Sequence, residues 1–135
     1  MKTYLVTGAA GFIGSNFVKY LLKKYGKDIQ IIIVDALTYA GNLASIKDEI
    51  ELDNVSFVKS DIADYETIKS VFANNDIDYV VNFAAESHVD RSITNPKLFL
   101  ETNIIGTQNM LQCAREAWYV GKNEMGSPVY KDGVK

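Results

Sequence analysis

The stretch "TGAAGFIGSN", Thr7 to Asn16, places glycines at positions 8, 11 and 14 between the apolar run "TYLV" and a second one, "FVKYLL". Before the glycines the residues are β-branched and aromatic, as in a buried strand; after them apolar residues return at helical spacing. A strand that enters a helix through a turn of small residues is the opening half of a βαβ unit. The spacing is Gly-x-x-Gly-x-x-Gly, looser than the Gly-x-Gly-x-x-Gly found in many such turns.

The remainder of the chain repeats that alternation. "TYLVT" (3–7), "IQIIIV" (29–34), "VSFVK" (55–59) and "DYVVNF" (78–83) read as strands, and two of them are almost wholly apolar, as strands covered on both faces should be. Between them "SNFVKYLLKKYG" carries Phe17, Val18, Leu21, Leu22 and Tyr25 at helical spacing, with Gly26 at the C-cap position. "DYETIKSVFANN" begins with Asp64 as N-cap, and "NPK" sets Asn95 as cap and Pro96 at the first helical position. A last helix reaching about Trp118 should turn Phe99, Asn103, Gly106, Met110, Cys113 and Ala117 to the sheet. The expected fold class is α/β, a doubly wound parallel sheet (Rossmann fold) in 3-2-1-4 order, truncated after the fourth strand and its helix. Residues 1–120 form that incomplete domain; 121–135 should be a connecting loop toward a fifth strand that would begin near Lys135.

Chemistry concentrates at the strand ends. Gly8 permits a tight bend, Gly11 lets a diphosphate approach the backbone, and Gly14 lets helix and strand pack closely, with the anion at the helix N-terminus. Asp35 lies 21 residues beyond Gly14, where a carboxylate accepts the ribose hydroxyls of an adenine nucleotide and repels a 2′-phosphate. No Lys or Arg follows it in "DALTYAG", so NAD is expected over NADP. Asp61 in "SDIAD" faces the place of the adenine. In "NFAAESHVDRS" (82–92), read as one polar loop, Ala84 and Ala85 admit a flat ring, and Glu86, Ser87, His88, Asp90 and Arg91 gather beside the switch point of the sheet. Thr102 and Asn103 are polar on a core-facing stripe and need partners; Gly106 weakens a helix unless something comes close. Either they are capped core residues, or the helix backs onto the site.

Composition removes other classes. Hydrophobic residues make up 47% and charged residues 23% of 135, the profile of one soluble globular domain. A net charge of −3 without a basic cluster leaves no footprint for nucleic acid. No apolar run approaches the roughly 20 residues of a membrane span, and no signal peptide is evident, so a cytoplasmic setting is expected. One cysteine, Cys113, and one histidine, His88, are too few for a structural zinc site.

Together "GAAGFIGSN", "DALTYAGN", "NFAAESHVDRSI" and "ETNIIGT" resemble the dTDP-glucose 4,6-dehydratases of the extended short-chain dehydrogenase/reductase superfamily, from Met1 to about Trp118. The first motif belongs to the whole superfamily; "LTYAGN" and "AAESHVDRSI" are more particular to the dehydratases. The resemblance implies an NAD site formed by Gly8, Ala9, Ala10, Gly11, Phe12, Ile13 and Gly14, by Asp35, Ala36, Leu37 and Thr38, by Asp61 and Ile62, by Phe83, Ala84, Ala85, Glu86 and Ser87, and by Thr102. Ser87 would also touch the nucleotide sugar. In that family NAD⁺ takes a hydride from C4 of the glucose, water leaves across C5 and C6, and the hydride returns to C6. The acid–base groups are a Thr-Asp-Glu triplet after the fifth strand and a later Tyr-x-x-x-Lys pair, and this chain is expected to carry neither. It is therefore expected to hold the cofactor, to contain no catalytic residue or metal, and to be inactive alone as part of a longer enzyme. Family members are commonly homodimers. The alternatives are another nucleotide-sugar epimerase or dehydratase, or a non-catalytic NAD-binding module.

Overall fold

The central strand of the sheet is buried along nearly its whole length, because its residues are apolar on both faces. This is β2 (Ile29–Asp35), with Ile31, Ile32, Ile33 and Val34 at most 1% exposed. In the computed structural model, which describes residues 1–38 and 41–135, β2 pairs in parallel with β1 (Lys2–Thr7) on one side and β3 (Val55–Lys59) on the other. The outer neighbour of β1 is β4 (Tyr79–Asn82), also parallel, so the order is β3-β2-β1-β4, as expected. Tyr39 and Ala40 of the "LTYAGN" motif lie outside the described residues.

The alternation of side chains along each strand divides the core into two layers. On one face Val6, Ile31 and Ile33 meet Val18 and Leu21 of α1 (Phe12–Tyr25). On the other, Leu5, Ile32 and Val34 meet Ile68, Val71 and Phe72 of α2 (Tyr65–Asn74) and Met110, Cys113 and Ala114 of a later helix. The expected caps form. Gly26 stands at φ 55° and its N–H donates to Leu22 O; Asp64 accepts from Thr67 N at 3.3 Å; Asn95 accepts from Leu98 N at 3.3 Å ahead of Pro96.

The expected polar loop at 82–92 is in part a helix, α3 (Val89–Thr94). The single long helix after "NPK" is three pieces: α4 (Pro96–Leu100), a π-helical segment (Glu101–Gly106) and α5 (Thr107–Trp118). The wider π turn shifts the phase of α5 relative to α4. Gly106, Asn109, Met110, Cys113 and Ala114 are buried, whereas Asn103 and Ala117 are exposed. Trp118 takes the place expected of Ala117, its ring 6.5 Å from that of Phe72 and its Nε1 donating to Ile77 O at 2.7 Å. Asn109, missed as a core residue, satisfies its burial by donating to Ile62 O at 3.0 Å.

The connecting loop expected at 121–135 contains an antiparallel hairpin instead, β5 (Tyr119–Lys122) with β6 (Pro128–Tyr130). Glycines obscured it: Gly121, Gly126 and Gly133 all adopt positive φ and break the period-two pattern. Beyond it, Lys135 N donates to Asp78 O at 3.0 Å and Val80 N donates to Lys135 O at 2.8 Å, so its backbone pairs with the outer edge of β4. Among the described residues no helix is long and apolar enough to cross a membrane.

Asp78 fastens the end of the sheet remote from the turn. It is 6% exposed and accepts from Thr3 N at 2.9 Å and Lys2 Nζ at 3.0 Å, with Lys131 Nζ at 3.6 Å. Burial pushes its carboxyl up, but the Thr3 N–H and the Lys2 ammonium outweigh this and hold it below the usual carboxylate range. A lowered folded-state value means that the stabilisation is complete above about pH 4, where the unfolded carboxyl is also ionised, and is lost as pH falls through the lower folded value. Asp78→Ala is expected to cost about 2 kcal/mol at neutral pH and less in acid, because it strands a buried N–H. Urea melts across that range check this; a pH-independent loss would contradict it.

Candidate functional site

The carboxyl ends of the four parallel strands surround a cavity of about 400 Å³. At its centre is the glycine turn. Gly8 has φ 68°, and a Cβ there would stand 2.6 Å from Ala84 N and 2.7 Å from Phe83 C, so the chain leaving β4 crosses directly over it. A Cβ on Gly14 would lie 2.3 Å from Gly8 O, which shows how closely α1 sits on the end of β1. Gly11 is the N-cap of α1 and offers no side-chain cap, and no acidic residue occupies the first helical turn. The free N–H groups and the positive end of the helix dipole therefore face the cavity, an arrangement suited to a diphosphate.

On the β2 side, Asp35 is 7% exposed and lines the cavity. Its Oδ2 accepts from Ala10 N at 2.9 Å and its Oδ1 from Leu37 N at 2.7 Å. Each carboxylate oxygen has a second lone pair, which leaves acceptor capacity for a ligand hydroxyl. The bond to Leu37 holds that residue at φ 53°, an uncommon conformation for a bulky side chain. Gly41 lies against the same carboxylate, where a Cβ would be 2.9 Å from Asp35 Oδ1.

Beyond β3, Asp61 is exposed and accepts from Ala63 N at 2.9 Å, and buried Ile62 forms the floor. Gly106 packs on that floor: a Cβ there would stand 2.4 Å from Ile62 Cγ1. The close approach foreseen for Gly106 is thus to Ile62. On the β4 side, Thr7 and Asn82 side chains bond to each other, and Ala84 N donates to Thr7 Oγ1 at 3.2 Å, which aims the segment 83–88 over the turn.

The cavity gathers most of the residues expected there: Gly8, Gly11, Phe12, Ile13 and Gly14, then Asp35, Ala36 and Thr38, then Asp61 and Ile62, then Phe83, Ala84, Ala85 and Ser87. Five do not line it. Ala9 and Ala10 are buried in the core beneath the turn, and Leu37 packs partly against the α1 layer. Glu86 is buried, 6% exposed, and Thr102 is half-buried in the π-helical segment. Val34, Ser60 and Gly41 line the cavity and were missed. Ser60 was legible as the neighbour of Asp61 at the end of β3; Val34 and Gly41 carry no polar side chain to mark them.

Asn103 does reach the site's wall, although its residue surface is exposed. Its Oδ1 accepts from Glu86 N and its Nδ2 donates to Glu86 O, both at 2.8 Å, so the π-helical segment clasps the loop between Ala85 and Ser87. This supports the reading that the helix backs onto the site.

The spacing Tyr-x-x-x-Lys, expected to be absent, occurs twice, at Tyr20–Lys24 and Tyr65–Lys69. Both are neighbours one turn apart on a helix, the ammonium 5.7 and 5.9 Å from the ring centroid, and neither pair lines the cavity. Cys113 is a core residue whose thiol is pushed up by burial and by Glu116, away from nucleophilic use. Among the described residues no three potential ligands converge on a metal position.

A family model described as GDP-mannose 4,6 dehydratase matches residues 5–126. A probable dTDP-glucose 4,6-dehydratase of Sinorhizobium fredii is 50% identical over 114 residues, 84% of this chain and 32% of that protein. The chain spans about a third of the length of the curated relatives it matches. The crystal structure of the dTDP-glucose 4,6-dehydratase from Streptomyces venezuelae with NAD and TYD bound superposes with a TM-score of 0.78 at 46% identity, over 85% of this chain and 36% of that one. A UDP-Glc/GlcNAc 4-epimerase from Campylobacter jejuni superposes almost as well, TM-score 0.77, at only 28% identity over 87% of this chain and 34% of that one. The fold is therefore common to both kinds of enzyme, and the higher identity lies with the dehydratases. With nearly its whole length matched by the family model, the chain belongs to the GDP-mannose 4,6 dehydratase family.

Proposed function

We propose that this chain is the NAD-binding part of a nucleotide-sugar 4,6-dehydratase acting on dTDP-glucose. The observation that carries the reading is the single cavity that runs from Asp61 and Asp35, past the uncapped start of α1, to Ala85 and Ser87. A dinucleotide has that shape: two nucleosides joined by a diphosphate. The residues present fit it, since Gly11 leaves the backbone open to a diphosphate while Gly8 and Gly14 are filled by the protein itself. Bound NAD would supply a hydride acceptor and donor.

The chain's own residues would bind and orient. Phe12 to Gly14 hold the diphosphate through backbone N–H groups, the Gly11 N–H being donated to Gly8 O at 3.2 Å, Asp35 accepts the adenosine ribose hydroxyls, Ile62 lies under the adenine, and Ser87 stands where the sugar nucleotide enters. No Tyr or Lys lines the cavity among the described residues, so the lining offers binding without a proton-transfer pair. The intact family member would pair as a homodimer; Leu100, Ile104 and Leu111, 56%, 58% and 65% exposed along one helical run, are apolar surface on which a second copy could pack.

Calorimetric titration of the 135-residue chain with NAD⁺ and NADP⁺ tests this. Saturable binding of NAD⁺ at one site is expected, with NADP⁺ at least about tenfold weaker because Asp35 repels a 2′-phosphate. Incubation with dTDP-glucose and NAD⁺ should yield no 4-keto product. Absence of NAD⁺ binding, or preference for NADP⁺, would overturn the assignment.

A further inference from the structure

The segment that leaves β4 is tied at both ends and loose between them. Ala84 N donates to Thr7 Oγ1 at 3.2 Å, and His88 O accepts from Arg91 N at 3.1 Å and from Ser92 N at 3.2 Å where α3 begins. Between these ties Ala85 and Ser87 are exposed and line the cavity, yet among the described residues neither makes a backbone hydrogen bond. What holds the stretch is Asn103, whose Oδ1 accepts from Glu86 N and whose Nδ2 donates to Glu86 O, both at 2.8 Å. Those two groups belong to the peptide planes that join Glu86 to Ala85 and to Ser87. Because each plane is rigid, gripping both fixes the two cavity-lining neighbours as well.

Asn103 has no other evident purpose in its helix. Asparagine is a weaker helix former than alanine, this one is exposed, and it lies in the π-helical segment Glu101–Gly106, a kind of turn found mostly at functional sites. Its amide is given wholly to the loop. That loop follows β4, whereas Asp35 ends β2, with β1 and the glycine turn between them. A dinucleotide with one nucleoside at Asp35 therefore lays its second along Ala85 and Ser87.

We propose that Asn103 is a positioning residue for that second nucleoside: it holds Ala85 and Ser87 in their binding conformation before the ligand arrives. The proposal rests on the reading of the cavity as an NAD site. A loop ordered in advance loses little freedom on binding, whereas a loop with many conformations binds only through its competent fraction. If the loss of both hydrogen bonds lowers that fraction to about a tenth, the apparent dissociation constant rises about tenfold. Only ligands that reach the loop feel the change. NAD⁺ reaches it; ADP ends at the diphosphate and does not.

Calorimetric titration of the unaltered chain and of Asn103→Ala with NAD⁺ and ADP tests this. Asn103→Ala should weaken NAD⁺ about tenfold and leave ADP unchanged, while alanine, the best helix former, preserves the helix. Equal weakening of both ligands would make the two bonds a support of the fold and overturn the proposal. An unchanged affinity for NAD⁺ would do the same, as would an unaltered chain that binds ADP as tightly as NAD⁺. Hydrogen exchange on the unligated, unaltered chain is a second measurement that needs no variant to fold. The Glu86 N–H should exchange more slowly than those of Ala85 and Ser87 beside it. A common rate for all three would mean that the clasp is open in solution, which also overturns the proposal. Failure of the NAD reading gives a different result, in which the unaltered chain binds neither ligand although the Glu86 N–H is protected.

Discussion

Gly14→Ala is expected to cost about 3 kcal/mol of stability and to abolish dinucleotide binding, although it adds one methyl group. The added carbon would meet only backbone: Gly8 O at 2.3 Å, Ala9 Cα at 2.8 Å and Gly8 C at 2.9 Å. None of these can rotate aside as a side-chain end can. Nor can α1 back away cheaply, because Val18 and Leu21 anchor it to the sheet at 0% and 3% exposure. Gly11→Ala provides the contrast. Its Cβ would meet nothing closer than Gly8 O at 3.3 Å, so the fold should lose less than about 1 kcal/mol while binding still falls, because the methyl group occupies the space of the diphosphate. Urea melts and NAD⁺ titrations of the two variants check the pair of outcomes. A Gly14→Ala chain as stable as the original would mean that the close contact of helix and strand is not required.

Asp35→Ala should likewise damage fold and specificity together. Two buried or half-buried N–H groups, of Ala10 and Leu37, would lose their acceptor, for an expected loss of about 3 kcal/mol. Leu37 would also lose the bond that holds it at φ 53°, and the approach to Gly41 would slacken. In samples shown by circular dichroism to remain folded, the preference for NAD⁺ over NADP⁺ should shrink toward unity. Retained discrimination would place the recognition of the ribose elsewhere, and a loss under about 1 kcal/mol would show that the turn does not depend on the carboxylate.

Asp35 was legible as a residue of the cavity and opaque as a support of its wall. Its distance from the glycines pointed to a ribose; nothing in "DALTYAG" announced that the same carboxylate tethers Ala10 and Leu37. Glu86 is the reverse case. Its place in a polar loop suggested contact with the cofactor, but an extended segment sends neighbouring side chains to opposite sides, and Ala85 and Ser87 took the cavity side. The π-helical turn was invisible because the widening of one helical turn leaves no residue pattern of its own in "ETNIIG", and the phase shift it introduces moved the buried stripe to Asn109 and Ala114. The hairpin at 119–130 was hidden by glycines that read as loop punctuation.

The primary sequence alone dictated the parallel sheet and the position of its glycine turn. Both arise from local rules: apolar runs too long for one-sided burial, caps such as Asp64 and Asn95, a left-handed backbone that favours glycine at position 8, and a contact that leaves no room for a Cβ at position 14. Tertiary structure decided which polar groups face the cavity and which support its wall. Those choices depend on partners far apart in the chain, Ala10 with Asp35 and Glu86 with Asn103, and a hydrogen bond between distant residues leaves no period or spacing in the sequence to read.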